Sequence, residues 1–396
     1  MLPSDDQWEL VPLVDVLEFR EGPGIMARDF REDGVPLVRL AGLREPGALL
    51  TGCNYLDPEM VKKRWDHFRL REGDVLLSTS ASLGEVAVVD ASGVGAIAYT
   101  GIIGFRPKGG RVIPAFIPHA LTAPSFTRQI EAMGAGSVLR HFGPLHLRQM
   151  SLRVPPVHVQ RAISEVLEAL DDKIESNARM LGILDALVRA EVASAQANAG
   201  REASLGELVE RITEIAKTDE LDETTHYVGL EHMARGSVFL SAWGSAEALA
   251  SSKSRFQAGD ILFGKLRPYF RKVAVAPAPG VCSTDVLVLR PKLSGQAAFA
   301  SVACASNEVI DYASAGSEGT RMPRVSWDYL SRFLVRMPTV AAMEVLDRRI
   351  SPQLQLGARL PWHSAALARL RDTLLPELLS GEIRVREAES LVWEAN

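Results

Sequence analysis

Short runs of β-branched and aromatic residues, each bounded by Gly, Pro or Ser, recur along the chain and predict β-strands. They occupy residues 86–89, 102–105, 272–275 and 286–289. Between and after these runs the pattern changes, and short helices are predicted over 125–133 and 308–313. The two halves of the chain therefore each predict a compact α+β domain, rich in strands and ending near a proline.

From residue 158 to 197 the pattern becomes helical. There is no Pro in this stretch and its only Gly is Gly182. About 35 residues at 1.5 Å each would make a helix of roughly 50 Å. Such a helix needs a partner to cover its apolar stripe, so we expect coiled-coil pairing; a core helix of an adjoining domain is the alternative. The predicted interface is formed by Ile163, Leu167, Leu170, Ile174, Leu181, Leu184 and Val188.

The expected partner helix lies in the matching place of the second half, from residue 340 to 383. Its pattern is less regular, because Pro352, Gly357, Pro361 and Pro376 fall inside it. Proline removes a helical hydrogen bond and clashes with the preceding turn. We therefore predict a broken helix with a regular part over 365–379, ended by a glycine. Its predicted interface residues are Leu367, Leu370 and Leu374.

The chain also contains an internal repeat at an offset of about 180–190 residues. The segment FRLREGDVLL (68–77) matches FQAGDILF (256–263), and TGIIGFRPK (100–108) matches TDVLVLRPK (284–292). Three weaker matches follow the same order: EVAVVD with KVAVAP, AGS with AGS, and LRVPP with LVRMP. Because the matches keep one order and nearly one offset, a duplication is the best interpretation.

Composition sets broad limits on the kind of protein. The chain has 396 residues, 47% of them hydrophobic and 23% charged, with a net charge of −5. This is typical of a globular protein, and the overall acidity argues weakly against nucleic-acid binding. Three distant cysteines cannot form a disulfide framework, so a cytoplasmic location is expected. The first residues do not resemble a signal peptide, and the longest uncharged stretch, 91–105, is too short for a membrane helix.

Catalytic and cofactor motifs are not recognisable. The segment GDILFGKL (259–266) approaches a phosphate-binding loop, but Leu266 stands where a hydroxyl should hold magnesium. The only Pro-Pro pair, 155–156, lacks the residues of a base-methyltransferase signature. The eight histidines are scattered and offer no metal set. We therefore expect no enzyme activity, no metal and no cofactor bound by this chain.

A basic loop with aromatic residues follows one predicted strand and is the clearest candidate for a binding surface. Arginine and lysine suit phosphate and base-edge contacts, whereas a solvated hairpin is the structural alternative. The candidates in the second half, including a later loop, are Lys265, Arg267, Tyr269, Arg271, Lys272, Arg321 and Arg324. In the first half the equivalent loop is rich in hydroxyls, and nearby segments supply cations. These candidates are Ser78, Thr79, Ser80, Ser82, Lys63, Arg64 and Arg140.

These features together resemble the specificity (S) subunit of a type I restriction-modification system. The resemblance covers nearly the whole chain. It depends on the duplicated strand and loop, STSASLGEVAVV (78–89) and GKLRPYFRKVAV (264–275), on the proline that opens each helix, and on the closing LLPELLSGEIRV (374–385). It implies two tandem target-recognition domains, separated and followed by long helices that pair as an antiparallel coiled coil.

The resemblance also implies a function and partners. Each recognition domain would read one half of a bipartite target in double-stranded DNA, and the helices would set the spacing and dock two methyltransferase subunits. Restriction and translocase subunits would join that core, and S-adenosylmethionine, ATP and magnesium would bind to the partners. The domains would be recognition domain 1 (1–156), the central helix (157–200), recognition domain 2 (201–338), the interrupted C-terminal helix (339–386) and a tail (387–396).

Two other function classes stay open from the residues alone. A duplicated protein-binding scaffold would need no DNA, and it would lack the steep salt dependence of duplex binding. A stand-alone DNA-modifying enzyme is disfavoured because no catalytic signature is recognisable in the sequence.

Overall fold

The computed structural model describes residues 8–44, 48–80, 83–133, 142–197, 201–247, 249 and 251–395. These residues form two compact units. Unit 1 contains the chain up to Asp172 together with the part from Leu367 onward, and unit 2 contains Lys173–Ala366. Two long helices contribute to both units, so the unit borders lie inside helices. No helix among the described residues is long and apolar enough to cross a membrane.

The described residues of unit 1 form ten strands and five short helices before the long helix. They are β1 (Glu9–Pro12), α1 (Leu13–Val16), β2 (Leu17–Glu21), β3 (Phe30–Arg31), β4 (Val35–Val38), β5 (Asn54–Leu56), α2 (Pro58–Arg64), β6 (Val75–Ser78), β7 (Val86–Val88), β8 (Ile97–Ala98), β9 (Ile102–Pro107), α3 (Phe116–Thr122), α4 (Pro124–Met133), α5 (Pro144–Leu147) and β10 (Ser151–Val154). The long helix α6 (Val157–Ala197) follows.

The described strands of unit 1 pair into three sheets. An antiparallel sheet has the order β2-β9-β6-β7, and a second sheet has the order β3-β5-β4-β8, in which β4 and β8 are parallel. The pair β1-β10 joins the first strand to the last one before α6. The strand β6 is buried on both faces, which explains its continuous apolar run rather than an alternating pattern.

Unit 2 repeats much of this plan. Its elements are β11 (Arg201–Ser204), α7 (Leu205–Leu208), β12 (Val209–Ile212), β13 (Ile215–Ala216), β14 (His226–Val228), β15 (Gly244–Ser245), β16 (Lys253–Phe256), β17 (Ile261–Gly264), β18 (Val273–Val275), β19 (Gly280–Cys282), β20 (Val286–Pro291), α8 (Ala297–Cys304), α9 (Asn307–Ala315), α10 (Trp327–Leu330) and β21 (Leu334–Met337). The chain continues with α11 (Val340–Ser380) and α12 (Val385–Ala395).

The repeat found in the sequence has a counterpart in strand order. The sheet β12-β20-β17-β18 corresponds to β2-β9-β6-β7, and the parallel pair β14-β19 corresponds to β4-β8. The pair β11-β21 closes unit 2 before α11, as β1-β10 closes unit 1 before α6. The helices predicted over 125–133 and 308–313 are present as α4 and α9.

A buried Asp-Arg pair braces the main sheet of each unit. Asp74 accepts hydrogen bonds from Arg106 Nε at 2.7 Å and from Arg106 Nη2 at 2.6 Å. In unit 2, Asp260 accepts from Arg290 Nε at 2.7 Å and from Nη2 at 2.8 Å. These residues belong to the Gly-Asp and Arg-Pro-Lys segments of the sequence repeat. The repeat therefore preserves a brace that joins the start of one strand to the end of its neighbour.

The helix α11 differs from the sequence expectation. It runs for 41 residues without a break through Pro352, Pro361 and Pro376, so the predicted interruption is wrong. An interior proline costs a helix about 3 kcal/mol, and the helix persists because tertiary packing of its apolar face outweighs that local cost. Gly357 also has a packing role, since a Cβ atom there would collide with the Phe239 ring. The helix does end before Gly381, whose φ is 80°.

Within unit 2, α6 and α11 run antiparallel. Asn177 Nδ2 donates to Ser364 Oγ at 3.1 Å, and Arg349 Nη1 donates to Glu191 Oε2 at 3.2 Å. In unit 1 the same two helices are linked by Arg371 Nη1, which donates to Asp171 Oδ1 at 2.6 Å. The residues expected to form a tail after 386 belong to α12 instead.

Candidate nucleic-acid interface

The basic loop of unit 2 connects β17 to β18 and has an unusual backbone. Arg267 and Arg271 have φ values of 50° and 54°, in the left-handed region. They flank a single 3₁₀ turn, Pro268–Phe270. Left-handed backbone costs roughly 1–2 kcal/mol for a residue with a side chain, so the surrounding structure must hold this conformation.

Neighbouring segments hold both strained residues in place. The Arg267 amide donates to the Pro323 carbonyl at 2.8 Å, and its guanidinium donates to the Arg321 carbonyl at 3.2 Å. The Arg271 carbonyl accepts from the Gly236 amide at 2.8 Å, and its guanidinium donates to Asn307 at 3.1 Å. The loop is therefore organised before any ligand arrives.

Aromatic rings and guanidinium groups lie close together in this loop. Tyr269 is 49% exposed, and its ring lies 4.8 Å from the Phe270 ring. The Phe270 ring is contacted by two guanidinium groups, from Arg235 at 5.0 Å and Arg267 at 6.0 Å. Arg235 did not stand out in the sequence, because nothing in its own segment suggests that it lies next to this loop.

The second predicted segment of unit 2 packs beside the loop. Leu266 and Arg324 form an isolated β-bridge, so the exposed residues Arg321 and Met322 lie next to the loop. The Arg324 guanidinium contacts both oxygens of Asp285, at 2.8 and 3.2 Å, and this carboxylate raises the pKa of Arg324. Its charge is therefore largely balanced within the protein.

The predicted cations of unit 2 thus divide into those that lie in or beside the basic loop and those, Arg324 and Lys272, that other groups of the protein bind. Lys265, Arg267, Arg271 and Arg321 lie in or beside the basic loop with Tyr269, whereas Arg324 is paired with Asp285. The ammonium of Lys272 donates to the Leu230 carbonyl inside the fold.

Unit 1 has hydroxyl groups at the corresponding strand end, and two of them are buried. Ser78 and Thr79 are each 0% exposed. The Ser78 hydroxyl accepts from the Glu85 amide at 2.8 Å, whereas the Thr79 hydroxyl has no hydrogen-bond partner among the described residues. Ser80 is half-buried. Two further predicted contacts, Ser82 and Arg140, lie outside the residues that the structure describes.

The backbone defines which residues correspond between the two loops. The Ser78 amide donates to the Glu85 carbonyl, as the Gly264 amide does to that of Lys272. The next amide, that of Thr79, donates to the Gly101 carbonyl, as the Lys265 amide does to that of Asp285. Thr79 and Glu85 therefore stand where unit 2 has Lys265 and Lys272. The two strand ends differ in charge while sharing one backbone.

The remaining predicted residues lie on helices. Lys63 and Arg64 are exposed in the last turn of α2, where cations interact favourably with the helix dipole. Of the predicted helix-interface residues, seven are buried to 6% exposure or less, and Ile174, Leu181 and Leu370 are half-buried. Leu184 and Val188 belong to the same core cluster as Phe239, so this part of α6 packs against the core of unit 2.

No group of three or more His, Cys, Asp or Glu side chains that could hold a metal ion occurs in the described part of the chain. The thiols of Cys282 and Cys304 are buried, and burial raises the pKa of each to about 12. These thiols are protonated at neutral pH and unsuited to act as nucleophiles.

Comparison with known proteins gives a family match in the first half of the chain. Residues 5–182 match the family described as type I restriction modification DNA specificity domain. This part of the chain is similar to that family, and the match covers slightly less than half of the chain. The resemblance inferred from the sequence is thereby confirmed. Unit 2 has the same main-sheet order as unit 1.

Two curated relatives and one solved structure are similar to this chain. It is 27% identical over 141 residues to the EcoDI specificity subunit of Escherichia coli, covering 35% of this chain and 31% of that protein. It is 21% identical over 178 residues to the MjaVIII specificity subunit of Methanocaldococcus jannaschii, covering 44% and 41%. The matches thus span about a third to two fifths of these relatives.

The fold comparison extends over nearly the whole chain. The crystal structure of a type I restriction-modification S subunit from M. genitalium aligns with a TM-score of 0.61, covering 94% of this chain and 96% of that one. At 14% sequence identity this likeness concerns the fold alone. It confirms the predicted α+β class with long helices.

Proposed function

We propose that this protein is the DNA sequence-specificity subunit of a type I restriction-modification complex. Each recognition domain, 1–156 and 201–338, reads one half of a bipartite target in duplex DNA. The subunit carries out no chemistry itself. The basic loop of unit 2 is the observation that supports this function most directly, because it presents cations and an exposed aromatic ring on a rigid backbone.

The loop geometry suits DNA recognition in two ways. Arginine can contact a guanine edge through two donors, and lysine can contact a phosphate as a point charge. A preorganised loop also loses less conformational freedom on binding than a flexible one. We propose that Lys265, Arg267, Tyr269, Arg271 and Arg321 form the main contacts of unit 2. In unit 1, Ser80, Lys63 and Arg64 are the exposed or half-buried candidates.

The long helices have a separate role in this proposal. They set the distance between the two half-sites and dock two methyltransferase subunits, to which restriction and translocase subunits are added. S-adenosylmethionine, ATP and magnesium are bound by those partners, and the assembled complex acts in the cytoplasm. The continuous 41-residue length of both helices supports a spacer role.

Substitutions in the basic loop test the proposal. We expect Arg267→Ala and Arg271→Ala each to weaken binding to the target duplex by about 1–3 kcal/mol if they read bases, because each loses a bidentate contact. The measurement is fluorescence anisotropy on the purified assembly over a range of salt concentrations, with the target duplex identified by methylome sequencing.

The matched control is Arg332→Ala, an exposed cation elsewhere in unit 2. If both loop variants bind with the affinity and sequence preference of the native protein, the loop does not contact DNA. If the native assembly shows no salt-dependent duplex binding at all, the protein is a scaffold for other proteins instead.

A further inference from the structure

A cationic cleft of about 350 Å³ lies on unit 1, beside the residues that precede β6. Its walls include side chains from β2 and β9 and from the segment between residues 67 and 74. Among the residues that the structure describes, two carboxylates line it, those of Glu18 and Asp74. The basic residues that line it are Arg20, His67, Arg69, Arg71 and Arg106. The excess of cations means that the cleft attracts an anion.

The corresponding place in unit 2 is filled by apolar side chains. The strand registers align Glu18 opposite Arg106 with Glu210 opposite Arg290. Two residues further along, Arg20 pairs with Gly104 in unit 1. The equivalent pair in unit 2 is Ile212 with Val288. Val288 is buried and Ile212 packs against the same core cluster. Two residue differences on a shared backbone therefore lie at the cleft.

The lining arginines differ in how many of their guanidinium donors already make hydrogen bonds within the protein. Arg106 is held by Asp74, and Arg69 donates to Asp66 at 2.8 Å and to the Gly95 carbonyl at 2.9 Å. Arg20 donates through one nitrogen to the His67 carbonyl, and its guanidinium lies 5.5 Å from the Phe68 ring centre.

The Arg71 side chain has no partner among the residues that the structure describes, and it is exposed. Arg20 and Arg71 therefore have donors available, while the neighbouring pairs hold the cleft walls in place. Two arginines with free donors at the edge of a rigid cleft are suited to the several acceptor oxygens of a phosphate.

We propose that this cleft binds a phosphate group. The group belongs either to a free nucleotide or pyrophosphate, or to a DNA backbone outside the bases that are read. The cleft lies at the start of β6, whereas the hydroxyl-rich loop follows the other end of that strand. Four residues of strand separate them by about 13 Å. The site is therefore distinct from the hydroxyl-rich loop. Its use by a DNA backbone rests on the proposed function, whereas its use by a free ligand does not.

The main test variant replaces two cleft residues by those found at the equivalent positions of unit 2. The double substitution Arg20→Ile with Gly104→Val reproduces the residues of unit 2 and fills the cleft. A Cβ at Gly104 would approach its nearest neighbour, Leu76 Cδ2, at 3.6 Å, which is ordinary contact, so the fold should tolerate the change. Arg71→Ala is a second variant that leaves the sheet untouched, and Arg148→Ala, an exposed cation elsewhere in unit 1, is the control.

Isothermal titration calorimetry with pyrophosphate, and DNA anisotropy across salt concentrations, are measured on the full chain and its assembly. Pyrophosphate binding that weakens at least tenfold in both cleft variants but not in Arg148→Ala would identify a free phosphate ligand. Loss of DNA affinity in both, with a salt slope lower by about one, would identify a backbone phosphate. If neither binding changes in either variant, the cleft holds no phosphate and the proposal is wrong.

Discussion

At the scale of single residues, the Asp74 and Asp260 carboxylates do more for the fold than their short Gly-Asp motifs suggest. Asp74 is 4% exposed and also accepts from the Arg71 amide at 2.7 Å, in addition to its two bonds from Arg106. Asp260 is 1% exposed and accepts from the Gln257 amide at 2.7 Å. A carboxylate removed from water in this way depends on its partners, because an unpaired buried charge is strongly unfavourable.

We expect Asp74→Asn to lower the free energy of unfolding by about 3 kcal/mol, since Arg106 would lose its counter-charge in a partly buried site. Chemical denaturation followed by circular dichroism measures this change. The control is Asp66→Asn, whose carboxylate is 61% exposed and pairs with Arg69, and its cost should stay within about 1 kcal/mol. Equal effects of the two substitutions would contradict a special role for the buried pair.

His119 predicts a pH dependence of stability. Burial lowers the pKa of this histidine, nearby Asp171 raises it and nearby Arg371 lowers it, with burial the largest effect. The unfolded chain, with a histidine pKa of about 6.5, binds a proton that the folded protein resists. The free energy of unfolding should therefore decrease as pH falls below about 6.5.

Thermal or denaturant unfolding between pH 5 and 8 would measure this effect, and His119→Gln should flatten the profile over that range. Glu168 has the opposite effect on the free energy of unfolding at lower pH. Burial and the neighbouring Asp172 raise the pKa of its carboxyl group, so its protonation favours the folded state. The difference between the native protein and His119→Gln isolates the histidine. An unchanged pH profile in the variant would show that His119 is not responsible.

At the scale of elements, the length of the long helices is expected to determine the spacing between the two halves of the DNA target. We expect the removal of four residues from α6, with a matched removal from α11, to shorten the tolerated spacer of the DNA target. Four residues correspond to about 6 Å of helix, or roughly two base pairs. Binding to a series of duplexes that differ only in spacer length measures this. Retention of the original spacing would mean that the helices do not set it.

The elements also show what sequence patterns can and cannot predict. The strands and α6 were predictable, because β-branched runs and a proline-free apolar stripe are local signals. The continuity of α11 was not, because it depends on packing partners such as Phe239 rather than on local propensity. The basic loop could be located from its residues. The pairing of Arg324 with Asp285 could not, since these residues are 39 positions apart in the chain.

At the scale of the whole molecule, net charge is a poor guide to the binding surface. The chain carries a charge of −5, yet Lys265, Arg267, Arg271 and Arg321 gather on and beside one loop of unit 2. Recognition depends on where cations lie and whether the protein already pairs them, so the acidity of the chain does not argue against DNA binding.

The repeated architecture predicts modular recognition. From the proposed function, we expect replacement of residues 1–156 by the equivalent domain of a type I specificity subunit to change one half of the DNA target and leave the other half as it was. Methylome sequencing of cells that express the hybrid with its partner subunits measures both halves. A change in both halves would contradict independent reading by the two domains.

The distance between each Asp-Arg brace and its loop has a consequence for how such proteins diversify. The brace fixes the start of β6 or β17, while the candidate contact residues follow the other end of the same strand. Thr79 can therefore stand where unit 2 has Lys265 without any change in the brace. We expect new target preferences to arise by a few substitutions at the loop end, each domain changing on its own while the scaffold keeps its stability.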